Sequence, residues 1–144
     1  MMRAAVLMLA GVLAACQQAA QVPAPRPSSS VPARLIGEYR VAGIDGAELT
    51  GPAGIALTID QGHVSYAPTC AGYVWSYAYR DGALDIERRQ EKIHHPPPPV
   101  CAIAVPPELD RLAAALEATN RARVTPANGI ELSGGGRSVL LFSQ

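Results

Sequence analysis

The stretch Tyr73–Arg88, with the sequence YVWSYAYRDGALDIER, decides the fold that we expect for this chain. Side chains alternate through Tyr73–Arg80, which predicts a strand with its aromatic residues on one face. Asp81-Gly82 is a strong signal for a two-residue turn, and Ala83–Arg88 then pairs back as a hairpin. The aromatic face consists of Tyr73, Trp75, Tyr77 and Tyr79. So dense a face predicts a core or a sheet cover, and the alternative is a stacking surface for a ligand.

Three shorter strands are predicted before this hairpin. They are Gly37–Ala42, Ile55–Asp60 and His63–Ala67. Turns at Ile44-Asp45-Gly46 and at Gln61-Gly62 separate them, since glycine next to a polar residue is typical of tight turns. We therefore expect antiparallel neighbours joined by short connections.

A single helix is predicted after the hairpin. Pro106-Pro107 followed by Glu108 is typical of a first helical turn, where proline and acidic side chains are favoured. An apolar stripe at helical spacing follows it, formed by Leu109, Leu112, Ala113 and Leu116. Three further strands are expected at Arg121–Thr125, Ile130–Ser133 and Ser138–Phe142. The order of five strands, one helix and three strands predicts an α+β domain, a mostly antiparallel sheet or barrel with one helix packed against it.

Length and charge limit the function classes. The chain has 144 residues, which suits one small domain with additional segments. Its 12 basic and 12 acidic residues balance. This balance excludes a strongly basic nucleic-acid-binding protein and an acidic tail.

The first 15 residues predict a secretory signal peptide. Arg3 precedes the apolar run Ala4–Leu13, and small residues come directly before Cys16. The run is too short for a transmembrane helix, which needs about 20 apolar residues. The segment resembles the lipobox of bacterial lipoproteins. This resemblance implies that the chain is cleaved before Cys16 and that Cys16 is diacylated. Because Gln17 is not aspartate, it also implies sorting to the outer membrane. An ordinary signal peptide is the alternative.

The next segment, residues 16–32, predicts a disordered tether that follows the lipidated cysteine. Gln17–Pro32 has four prolines, three serines and few large apolar side chains, so it cannot bury enough surface to order itself. The folded domain is then expected at residues 33–144. Cys70 and Cys101 remain in an exported domain, where one disulfide is the simplest expectation and two buried thiols are the alternative.

The domain resembles the META family, also called HslJ-like, over Leu35–Phe142. That family carries a Gly-Cys-Asn core followed by an aromatic residue, a glycine and a tyrosine, and this chain departs from it at Thr69, Ala71 and Trp75. The matching segments are Cys70, Tyr73 and Tyr77, Asp81–Ile86, the leucine-rich helix, Gly129–Leu132 and Val139–Phe142. The resemblance implies no established catalytic site, and a link to envelope stress and drug tolerance.

Direct signs of catalysis or metal binding are weak. His94 and His95 precede four prolines, and a metal site there would need further ligands such as Glu91 or His63. The simpler interpretation is a solvated, proline-rich loop, which is also a plausible contact for a partner. Asp85 and Glu87 share one face of a strand, where surface charge is the simpler interpretation and a paired-acid site the alternative. We therefore predict no catalytic residues, no metal and no cofactor.

These features together predict a non-enzymatic lipoprotein. It would be anchored to the membrane through Cys16, face the periplasm and support envelope integrity through a binding domain. Its partner would be an envelope protein and not a nucleic acid. The candidate binding residues are Tyr73, Trp75, Tyr77, His94 and His95. The alternative is a lipoprotein resembling lysozyme inhibitors, which would block an enzyme cleft with the loop Glu91–Val100.

Overall fold

The computed structural model describes residues 30–50, 54–89 and 104–144. The described residues form nine strands, one α-helix and a short 3-10 turn at Thr69–Ala71. The strands are β1 (Gly37–Ile44), β2 (Ala47–Glu48), β3 (Ala56–Ile59), β4 (His63–Tyr66), β5 (Val74–Arg80), β6 (Ala83–Arg88), β7 (Arg121–Val124), β8 (Ile130–Gly134) and β9 (Arg137–Ser143). The helix, α1, spans Leu109–Ala118.

Eight of these strands close into an antiparallel barrel. From β3 to β9 each strand pairs with its neighbour in sequence, β3 pairs with β1, and β9 returns to pair with β1. The short strand β2 is the return arm of a tight hairpin on β1. The predicted class is therefore confirmed: the domain is a mostly antiparallel barrel with one helix packed against it.

The strongest sequence signals match the observed elements. The hairpin of β5 and β6 turns at Asp81-Gly82, and β6 has the predicted bounds. All four residues of the predicted apolar stripe on α1 are buried. The two-residue strand β2 was not predicted, because a segment so short leaves no alternation to detect.

The barrel interior is one hydrophobic cluster that also includes the apolar face of α1. Trp75 of β5 is fully buried, and Tyr73, Tyr77 and Tyr79 pack partly buried against the cluster. The prediction of a core for the aromatic face is confirmed. Trp75 is consequently no part of an exposed binding surface, because its ring has no contact with solvent.

The helix α1 packs across the end of the barrel where β1 and β8 end and β9 begins. It lies mainly against β9 and β6. The guanidinium of Arg137 on β9 donates to the carbonyl oxygen of Arg111 at 3.2 Å. At the other end of the helix, the Thr119 hydroxyl donates to the Leu116 carbonyl at 2.7 Å and satisfies an acceptor of the last turn.

Residues 30–36 form a strap that ties the start of the described chain to the barrel. The Val124 N–H on β7 donates to the Ser30 carbonyl at 2.7 Å, and the Tyr79 hydroxyl donates to the Pro32 carbonyl. Leu35 lies in the core with 2% of its surface exposed. Ser30–Pro32 therefore belongs to the folded unit, three residues before the predicted boundary at residue 33.

Candidate functional site

The outer wall of the barrel carries a groove of about 480 Å³ where β2, β1, β9, β8 and β7 lie side by side. Its floor contains both apolar side chains and a glycine, and charged side chains stand around it. The residues that define its chemistry are Arg40, Ala42, Gly43, Glu48, Leu140 and Phe142.

A β-bulge on β1 produces the dent in this wall. Between Val41 and Gly43 the register with β9 shifts, so that Ala42 is an extra residue on the β1 side. Gly43 then lies opposite Leu140 on β9 and opposite Glu48 on β2. Gly43 is buried against the Ala47 backbone, where an added methyl group would lie 3.1 Å from the carbonyl oxygen, and the dent lies beside it, over Ala42 and Leu140.

Phe142 leans away from β1 and leaves the dent clear. It pairs with Arg40 across the strands, but its ring covers Gly129, where an added methyl group would lie 3.0 Å from the ring carbon Cε1. The far side of the groove is formed by Arg123 and Glu131, whose side chains make an ion pair.

Two other charged side chains beside the groove make no ion pair with the described residues. The side chains of Arg40 and Glu48 are exposed, and neither makes an ion pair or a hydrogen bond with any other described residue. Both charges are therefore available to a ligand, one positive and one negative, on different sides of an apolar floor.

The turn between β1 and β2 is fixed by a carboxylate. The Asp45 oxygen Oδ1 accepts from the Ser138 N–H at 3.1 Å and from the Arg137 Nε at 3.0 Å. The Ser138 N–H and then Arg137 hold the pKa of Asp45 below its ordinary value. This carboxylate links the hairpin to β9 and so maintains the edge of the groove.

The predicted aromatic surface is already engaged within the domain. The Tyr73 hydroxyl donates to Asp110 Oδ1 at 2.6 Å, which raises the pKa of Tyr73, and the Arg88 guanidinium lies 4.5 Å from its ring centroid. The Tyr77 hydroxyl donates to the Asp60 carbonyl oxygen at 2.7 Å. Burial raises the pKa of Tyr77. Even the buried Trp75 donates its indole N–H to Glu117 Oε1 at 3.1 Å.

The remaining candidate residues do not form a reactive cluster. His63 Nε2 lies 3.0 Å from Arg89 Nη1, and its Nδ1 lies 3.3 Å from Asp60 Oδ1. Asp85 and Glu87 are exposed on β6, as expected for surface charge. Within the described ranges, no three histidine, cysteine or carboxylate side chains lie close enough to hold a metal ion.

Several predicted sites fall outside the described residues. These are Cys16, Cys101, His94, His95 and the loop at 91–100. Cys70 lies exposed in the 3-10 turn between β4 and β5, and its pairing with Cys101 remains a prediction. Among the described helices, none has the length and apolar character needed to cross a membrane.

The groove was missed by sequence reasoning, which ended the first strand at Ala42. The available signal was Gly43, because an isolated glycine beside a strand often marks a bulge. Neither of the two charged residues, Arg40 and Glu48, lies in a sequence motif that indicates a binding site. Arg40 and Glu48 become neighbours of the same dent only when β2 folds back on β1.

Comparisons with known proteins identify no relative for this chain. No family model, no curated protein and no solved structure matches it.

Proposed function

We propose that this protein is a lipid-anchored envelope lipoprotein with a non-enzymatic, META/HslJ-like domain that binds a protein partner in the outer groove. The groove itself carries this proposal. Apolar side chains at its centre with unpaired charges beside them are the composition that protein interfaces use, with a dry centre and a polar rim.

The chemistry of the groove supports binding more than catalysis. Its ionisable side chains are Arg40, Glu48 and the Arg123–Glu131 pair. Arginine stays protonated and does not act as a base, and the Glu131 carboxylate is engaged in its ion pair with Arg123. A hydroxyl nucleophile such as Ser138 has no histidine or lysine in the groove lining to activate it.

The anchor belongs to the same proposal. Lipidation of Cys16 would hold the domain at the outer membrane, where it would support envelope integrity or stress tolerance. The strap supports this arrangement, since Ser30 is bonded to Val124, and the two neighbours of Val124, Arg123 and Thr125, line the groove. If the predicted tether joins the domain there, the distance between the groove and the membrane is limited by the length of the tether.

Site-specific photo-crosslinking in living cells tests the function. A photoreactive residue at Ala47, exposed on the lip of the groove, should capture one dominant envelope protein. The same residue at Asp85, exposed on β6 on the opposite side of the barrel, is the matched control and should capture little. With Cys16→Ala the capture at Ala47 should fall, because the domain leaves the membrane.

Two results would count against the proposal. Equal capture from both positions would mean that the groove is not the contact surface. Inhibition of lysozyme by the purified protein, with no capture at Ala47, would favour the inhibitor alternative, whose candidate loop is at residues 91–100.

A further inference from the structure

We infer that the groove recognises a protein segment in which a carboxylate side chain lies next to an aliphatic one. Arg40 binds the carboxylate, and the dent over Ala42 and Leu140 holds the aliphatic side chain. This inference rests on the proposed function and specifies the chemistry of the partner.

Arg40 is suited to a carboxylate. Its guanidinium is exposed and unpaired among the described residues, whereas the other arginine of the groove, Arg123, is already paired with Glu131. A guanidinium offers a planar fork of donors that matches a carboxylate in a two-bond arrangement.

The dent is suited to an aliphatic side chain. Gly43 itself is buried, with Ala42 beside it and Leu140 opposite. An added methyl group at Gly43 would lie 3.1 Å from the Ala47 carbonyl oxygen and 3.8 Å from the Leu140 Cβ. These distances leave no room above Gly43 itself, so the side chain of a partner would pack beside it, on Ala42 and Leu140.

Glu48 gives the segment a direction. It lies opposite Gly43 on β2, whereas Arg40 lies further along β1 towards Phe142. A second carboxylate placed near the dent would face Glu48 and be repelled. The preferred segment therefore places its acidic residue on the Arg40 side only.

Selection from a random peptide library displayed on phage tests the recognition directly, with the full-length protein as bait. The recovered peptides should share an aspartate or glutamate close to a leucine, isoleucine or valine. Their affinity should fall by about tenfold or more with Arg40→Glu, because a charge-assisted bond is replaced by repulsion. Selection on the Arg40→Glu protein should instead recover lysine or arginine at that position.

Arg80→Glu is the matched control. Arg80 is an exposed arginine in a strand, three strands away on β5, so its reversal changes the net charge equally without touching the groove. It should leave the affinity unchanged. Leu140→Ala provides an independent variant, which should lower affinity by loss of the apolar contact while Arg40 is intact. Thermal unfolding of each variant checks that the barrel is folded.

Peptides without acidic residues, or equal affinity for the Arg40→Glu protein, would overturn this inference. The proposed function fails separately. A partner captured at Ala47 with equal yield by the Arg40→Glu protein would refute carboxylate recognition and leave the groove as the contact surface.

Discussion

At Gly134 the backbone of β8 passes so close to the end of α1 that no side chain fits. A methyl group there would lie 2.6 Å from the Asn120 nitrogen and 2.7 Å from the Ala118 carbonyl oxygen. These are backbone atoms, which cannot rotate away. We expect Gly134→Ala to lower the free energy of unfolding by about 2–4 kcal/mol, measured by urea denaturation.

Gly136→Ala is the control for that measurement. Gly136 has a φ of +76°, but no atom lies within 4 Å of an added methyl group. Its substitution carries only the cost of the left-handed conformation, about 1 kcal/mol. Equal losses in the two variants would show that close approach to the helix is not what excludes a side chain at Gly134.

Asp45 makes the stability of the domain dependent on pH. Its lowered pKa means that its contribution is complete above the pKa of an aspartate in the unfolded chain, and is lost as the pH falls through the lower pKa of the folded state. Asp45→Asn should destabilise the protein near neutral pH. The difference from the unsubstituted protein should shrink between about pH 5 and pH 2, as measured by denaturant unfolding at each pH.

The Asn variant isolates the charge because asparagine also tolerates the positive φ of 55° at this turn. A difference that stays constant down to the lowest pH would contradict the assignment. It would mean that the stability depends on the hydrogen-bond geometry of the Asp45 side chain and not on its ionisation.

At the scale of elements, the apolar stripe of α1 is the main link between the helix and the barrel. Leu112 is fully buried in the common core. We expect Leu112→Ala to lower the free energy of unfolding by about 2–5 kcal/mol, because the site loses apolar contact and leaves a cavity. The control is Ala114→Ser on the exposed face, which should change it by less than about 0.5 kcal/mol. Similar effects of both variants would mean that the helix is not packed as described.

The elements best predicted from the sequence are those with local signals. The hairpin of β5 and β6 was identified because Asp81-Gly82 imposes its turn, and α1 because four apolar residues share one face. The groove had no such signal. It depends on a bulge at Ala42 and on the pairing of β1 with β9, in which Tyr39 lies opposite Ser143. Contacts so distant in sequence follow from closure of the barrel and not from any local pattern.

At the scale of the whole molecule, the predicted bridge between Cys70 and Cys101 is open to a direct test. When the chain is expressed with its predicted signal peptide, the intact mass of the purified protein should not increase on alkylation without reductant, and should increase by two alkyl groups after reduction. In the chain-entropy model, closing the loop between Cys70 and Cys101 adds about 3–4 kcal/mol to the free energy of unfolding. Alkylation of both residues without reductant would rule out the bridge.

The strap determines how the domain responds to mechanical load. A force on the chain before Ser30 acts first on the bond to Val124, then on the bond between Tyr79 and Pro32, and only afterwards on Leu35 in the core. Neither of the first two bonds is part of the strand pairing that closes the barrel. Under tension we therefore expect the strap to peel away while the barrel stays folded, which would add a few residues of reach between the barrel and the predicted membrane anchor.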